Sequence, residues 1–179
     1  MITVLKTSLQ NVLLFQLDHR EDHRGTYTRL YHQEEYTKII QDLTGQIVKF
    51  VDGEDGFAAS SKNVLRGIHG DDRTWKLITC LEGRFYIVIV NCDEGSPDFG
   101  KWQNFILTYE NGKQLLIPPK HGNAYLILSD HAVLHYKQSC LYLGKNQQFT
   151  YKWDDLRFNI WWPIKNPILS RRDELGYVP

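Results

Sequence analysis

The feature that most constrains this chain is a recurrence of short runs rich in Val, Ile, Tyr, Phe and Trp, each closed by a turn signal. Such runs predict strands at residues 12–17, 26–31, 47–51, 64–69, 75–81, 84–91, 102–108, 114–118, 124–128, 133–138 and 149–153. The punctuation between them is explicit: residues 71–74 (DDRT), Glu82–Gly83, residues 93–97 (DEGSP), Asn111–Gly112 and Ser129–Asp130. Apolar residues at helical spacing predict one helix over residues 33–43. Many short strands and so few helices predict an all-β sandwich or jelly roll. A parallel α/β fold needs alternating helices, so a dinucleotide site of the GxGxxG kind is not expected.

Composition narrows the partners. The chain has 179 residues, of which 42% are apolar and 13% aromatic, enough for one core, and it is expected to form one domain over 1–179. Lys+Arg and Asp+Glu are both 21, so no electrostatic footprint points to nucleic acid or an anionic membrane. A local cluster of Arg and Lys can still hold a small anion. No apolar run approaches the ~20 residues of a membrane span. Lys6, Gln10 and Asn11 break up the N-terminal apolar positions, with no basic segment before them, so a secretory signal is not expected. Cys80, Cys92 and Cys140 are widely spaced, without CxxC, which favours a reducing compartment and a cytoplasmic protein.

Several clusters could carry chemistry. His69 and Lys76 flank the 71–74 turn, which predicts a hairpin that brings imidazole and ammonium to one pocket. A neutral imidazole can take a proton and an ammonium can stabilise a developing oxyanion, a pairing suited to proton abstraction beside a carbonyl. A solitary histidine is more often a hydrogen-bonded core or surface residue. Arg24 and Arg66 each sit beside a glycine and can pair with phosphate in bidentate fashion; the plain alternative is a surface ion pair. On an uninterrupted strand Arg66 and His69 point to opposite faces, so a shared pocket requires a bulge or kink near Gly67. Tyr136 stands in an alternating strand, VLHYKQ, where it is either an acid or ordinary aromatic packing. Asp173 could orient an imidazole or be a solvated tail charge. No HxH pair occurs and His121 stands alone, so no metal is expected.

At these clusters the chain resembles the dTDP-4-dehydrorhamnose 3,5-epimerase family, from about residue 2 to about residue 175. The resemblance is carried by DHRGTY, NVLRGIHG, WKLITCLEG, GSPDFGKW, QLLIPP, HYKQS, YKWDD, the WWP segment and the closing LSRRD, in the family's order and spacing. It implies a metal-free cupin jelly roll with one or two short helices, without cofactor, usually a homodimer exchanging N-terminal strands. It implies that His69 is the base beside the 4-keto group, Asp173 its partner, Lys76 the residue that steadies the enolate, and Tyr136 the proton donor on the other face. Arg24 and Arg66 match residues holding the diphosphate region, and Tyr27 and Tyr142 match aromatics near nucleotide or sugar. Arg172, in the same LSRRD segment, is expected to bind substrate as well.

The chain departs from the family pattern at several positions. The family's Q-x-N pair before NVLRG becomes Glu54 and Gly56, the acidic residue after the DRG aromatic becomes Arg29, and the second histidine after the proline turn becomes Asn123, with His121 two residues earlier. Each change falls where nucleotide or sugar is expected, and Glu54 would suit a donor-rich base edge such as guanine or cytosine. RGIHG with PP-x-x-GN and QQFTYKWDD looks closer to epimerases acting on GDP-linked 4-keto-heptoses and relatives in O-antigen or capsule pathways. The expected activity is a 3- or 3,5-epimerisation of a nucleotide-linked 4-keto-6-deoxysugar or 4-keto-heptose. The competing readings are a 3,4-ketoisomerase on a similar fold and a non-catalytic sugar-nucleotide-binding protein.

Overall fold

A computed structural model describes residues 2–50 and 52–179. With strands numbered in chain order, one sheet has six strands in the order β1 (Thr3–Leu5), β2 (Leu13–Gln16), β10 (Lys113–Ile117), β7 (Lys76–Glu82), β12 (His131–Gln138) and β5 (Glu54–Ser61). The other has five: β13 (Phe149–Thr150), β6 (Leu65–Gly70), β11 (His121–Ile127), β8 (Arg84–Asn91) and β9 (Trp102–Thr108). A separate hairpin joins β3 (His19–Asp22) to β4 (Gly25–Thr28). All strand pairs are antiparallel, and the two sheets face each other as the expected sandwich.

The apolar residues sort into three layers. Ile78, Phe85, Ile87, Ile89, Leu107, Leu115 and Ile127 fill the space between the sheets. Tyr86, Val88 and Val90, on the other face of β8, are covered by Phe158 and Trp162 of the C-terminal segment. β8 is thus buried on both faces, which is why its sequence reads as an unbroken apolar run. Outside the six-stranded sheet, Phe15, Leu77 and Leu116 are covered by Tyr36 and Ile40 of helix α1 (Gln33–Thr44). Acidic Glu34 and Glu35 lie in the first turn of α1, and Gly45 closes it with φ of 73°.

Two expectations need correction. Residues 47–50 are irregular rather than a strand, because Val48 and Phe50 are buried beneath α1 instead of pairing with a neighbour; Val51 lies outside the described residues. The 71–74 turn does not make a hairpin either. β6 belongs to the five-stranded sheet and β7 to the six-stranded one, so the turn carries the chain from one layer to the other. The strand at 3–5 is only three residues long, and the strand at 19–22 and the long edge strand β5 carry too few apolar residues to stand out in the sequence. Among the described residues, no helix is long and apolar enough to cross a membrane.

Candidate active site

A cavity of about 580 Å³ opens between the two sheets, within the usual range of small-molecule sites. β6 and β11 contribute Arg66, His69, Asn123 and Tyr125 from one sheet. β7 and β12 contribute Lys76, Ile78, Leu134, Tyr136 and Gln138 from the other. The layer-crossing turn after β6 therefore achieves what the expected hairpin was meant to do, with His69 and Lys76 on opposite walls.

Arg66 and His69 share the cavity because β6 is bulged. Asn123 of β11 opposes His69 while Tyr125 opposes Arg66, so three steps along β6 match two along β11. Gly67 sits in the bulge with φ of +123°, and a side chain there would collide with Asn123 O and Ala124. Glycine is the residue that accepts both constraints.

His69 Nε2 lies 2.6 Å from Asp173 Oδ1. Asp173 is 2% exposed and belongs to the short helix α2 (Arg171–Leu175), whose N-cap is Ser170. Ser170 Oγ donates to Asp173 Oδ2 at 2.7 Å, and the Gly67 N–H donates to Oδ1 at 3.3 Å. Burial pushes the Asp173 carboxyl up, but His69, Ser170 and the Gly67 N–H together hold it below its ordinary value. Burial pulls the His69 imidazole down, against the pull of Asp173 in the other direction. The result is a neutral imidazole beside a charged carboxylate, the state a general base requires.

Lys76 is 8% exposed, and its Nζ donates to Asn123 Oδ1 at 3.2 Å. Burial lowers its pKa to about 8; Asp71 opposes the shift and Arg172 adds to it. Arg172 donates from Nε (2.9 Å) and Nη2 (2.6 Å) to Thr150 Oγ1 of β13. Arg66 Nε donates to Ser60 Oγ at 3.1 Å. Arg66, Lys76 and Arg172 are thus three cations lining one cavity, a setting for an anionic ligand. Tyr136 and Tyr142 complete the lining; burial, then Glu54 and Tyr142, raise the Tyr136 phenol above its ordinary value.

The other expected residues lie elsewhere in this chain. Arg24 and Tyr27 are on the β3–β4 hairpin and line a separate cleft, with Arg24 paired to Asp22 Oδ2 at 2.6 Å. Arg29 pairs with Glu35 of α1. Glu54 stands behind the rim, where Oε2 accepts from the Tyr142 N–H at 3.0 Å. Of the two candidates for the second-histidine position, Asn123 lines the cavity, whereas His121 lines a smaller one with Trp75 and Pro118. Sequence reasoning missed Tyr125, Gln138, Gln148 and Ser170. Tyr125 follows Asn123, and Gln138 follows Tyr136, by the two-residue period of a strand face, and S-R-R-D has the spacing of a helix cap. Among the described residues no group of three or more His, Cys, Asp and Glu comes together as a metal-binding set.

A cupin-like sandwich with a carboxylate-backed imidazole, a buried lysine and a phenol around one cavity belongs to the acid–base isomerases of that fold. The family model described as dTDP-4-dehydrorhamnose 3,5-epimerase matches residues 6–177, and the chain belongs to that family of sugar-nucleotide epimerases. It is 35% identical over 178 residues to the dTDP-4-dehydrorhamnose 3,5-epimerase of Shigella flexneri, covering 98% of this chain and 94% of that protein. The structure is similar to dTDP-6-deoxy-D-glucose-3,5-epimerase of Legionella pneumophila Philadelphia 1 in complex with dTDP-4-keto-L-rhamnose, with TM-score 0.88, 28% identity and coverage of 99% and 93%. It is also similar to a 3'-monoepimerase from Streptomyces bikiniensis in complex with dTDP-quinovose, with TM-score 0.86, 26% identity and coverage of 96% and 85%.

Proposed function

We propose that this protein epimerises a nucleotide-linked 4-keto-6-deoxysugar at carbon 3, or at carbons 3 and 5, in deoxysugar synthesis for a surface polysaccharide. The observation that carries this reading is the His69–Asp173 pair on one cavity wall with Lys76 and Tyr136 on the other. The 4-ketone acidifies the hydrogens on its neighbouring carbons. His69, kept neutral by burial and oriented by Asp173, removes one, and the C–H electron pair moves into the enolate. The Lys76 ammonium and its neighbours hold the enolate oxygen. Tyr136 donates its proton to the carbon from the opposite side and regains one from water. No hydride leaves the sugar, so the scheme calls for no redox cofactor.

Arg66 and Arg172 are placed to hold the diphosphate. Arg24 and Tyr27 do not line this cavity within one chain. A homodimer in which the β3–β4 hairpin of one protomer reaches the cavity of its partner would give them their expected role. The relatives named above act on or bind dTDP-sugars, which favours dTDP as the nucleotide. GDP-linked 4-keto-heptoses are the second choice, on the motif variants around Ile68 and Asn123. A 3'-monoepimerase and a 3,5-epimerase are similar to this chain at 26% and 28% identity, so the fold leaves the number of inverted centres to local geometry. Free, buried Cys80 and Cys92 suit the cytoplasm, where such a substrate is made.

Solvent exchange followed by NMR tests the reading. Sugars with a 4-keto group, hexose and heptose, linked to dTDP, CDP and GDP, are incubated with the protein in D₂O. Deuterium at carbon 3, or at carbons 3 and 5, absent with His69→Asn, is the expected result. Tight binding without exchange across the panel would favour a binding protein, and migration of the ketone to carbon 3 would favour the ketoisomerase.

A further inference from the structure

Gly56 and Tyr136 are direct partners across the β5–β12 ladder. A Cβ built on Gly56 would lie 2.5 Å from the Tyr136 Oη, 2.6 Å from its Cζ and 3.0 Å from its Cε2. All three nearest atoms belong to the far end of one side chain, and none to the backbone. The phenol therefore occupies the space that any other residue at position 56 would fill. Covering an edge-strand glycine with an aromatic ring is a known stabilising arrangement. Here the ring also lines the cavity that holds His69 on the facing sheet. Two residues before Gly56, Glu54 ties down the backbone of Tyr142, the other tyrosine of the rim.

We propose that Gly56 is a positioning residue: by having no side chain it lets the Tyr136 phenol lie back against β5, and this placement sets the direction from which the carbon is reprotonated. The inference rests on the epimerase reading for its chemical consequence, and on geometry alone for the placement. Inversion requires that the proton removed by His69 be replaced from the Tyr136 side. If the phenol is displaced, His69 can still remove a proton, exchange it with solvent and return a deuteron to the same face. Exchange then continues with retention, while inversion falls.

Gly56→Ala is expected to fold, because the clash is relieved by turning one side chain. Two readouts test the idea. In D₂O, Gly56→Ala should keep solvent exchange and lose inversion by roughly 10- to 100-fold, as for a misplaced reacting group, with KM little changed. Tyr136→Phe should show the same split, and the double variant should be no worse than Tyr136→Phe alone. Independently, protein labelled with ¹³C at tyrosine Cζ, with the Tyr136 resonance assigned from Tyr136→Phe, should show that resonance displaced in Gly56→Ala. Undiminished inversion in Gly56→Ala, or an unmoved Tyr136 resonance, would overturn the proposal. Should the wild-type protein exchange no deuterium with any sugar nucleotide, the epimerase reading falls, and the Tyr136 resonance alone decides the role of Gly56.

Discussion

His69 and Lys76 line one cavity from different sheets, His69 on β6 and Lys76 on β7. Base and oxyanion stabiliser thereby reach the cavity from facing sheets rather than from neighbouring positions of one ladder. Burial acts on both and drives each toward its uncharged form. Asp173 partly restores the basicity of His69, and Asn123 meets the Lys76 ammonium with a hydrogen bond.

Removing the base should abolish exchange without abolishing binding. His69→Asn is expected to lower kcat by about 10²–10⁴-fold, the usual worth of general acid–base help. The dissociation constant for the sugar nucleotide, measured by calorimetry, should change little, because Arg66, Lys76 and Arg172 remain.

The pH dependence of kcat/KM should be bell-shaped. Activity needs neutral His69, whose pKa is lowered, so the acid limb should fall below the ordinary imidazole value of 6.5. Activity also needs charged Lys76, so the alkaline limb should fall near pH 8. Asn123→Asp puts a carboxylate beside the ammonium, favours its charged form, and should move the alkaline limb to higher pH. An alkaline limb that stays put would remove Lys76 from the profile.

Asp173→Asn should shift the acid limb the other way. The carboxylate raises the imidazole pKa, so its loss lowers that pKa further and weakens the base. Exchange at neutral pH should slow roughly 10-fold or more, with the acid limb displaced to lower pH. A loss of rate without that displacement would mean that Asp173 acts through packing alone.

Gly67→Ala tests the bulge. The new Cβ meets Asn123 O and Ala124 on the neighbouring strand, in a backbone conformation with φ of +123°. The cost should be about 3 kcal/mol or more, lowering Tm by about 6–12 °C for a protein of this size. Thermal unfolding monitored by circular dichroism checks it. An unchanged Tm would mean that the Arg66–His69 register does not depend on this glycine.

Much of the fold was legible because it follows from local chemistry. β8 and β9 carry their burial in an unbroken or alternating apolar pattern, and the span predicted for each is the span observed. α1 shows its apolar spacing and ends on Gly45. The strand expected at 47–51 failed for a tertiary reason: Val48 and Phe50 are apolar because α1 covers them, not because a neighbouring strand pairs with them. β5 was missed because it is an edge strand with Gly, Ala and Ser on it, and its pairing comes from β12 rather than from its own composition.

The site divides in the same way. The types and order of its residues, His69, Lys76, Asn123, Tyr136, Arg172 and Asp173, are properties of the sequence, and the need for a bulge beside Gly67 follows from strand periodicity alone. Which of them meet is not local. Whether the 71–74 turn stays in one sheet or crosses to the other depends on where β6 and β7 find their hydrogen-bonding partners, and those are β11 and β13 for β6, β10 and β12 for β7. Only the closed sandwich buries His69 and Lys76 enough to shift their protonation, sets Asp173 from the far end of the chain against the imidazole, and lays Tyr136 across Gly56. Burial and long-range contact are collective properties of the packed layers, and no window of sequence contains them.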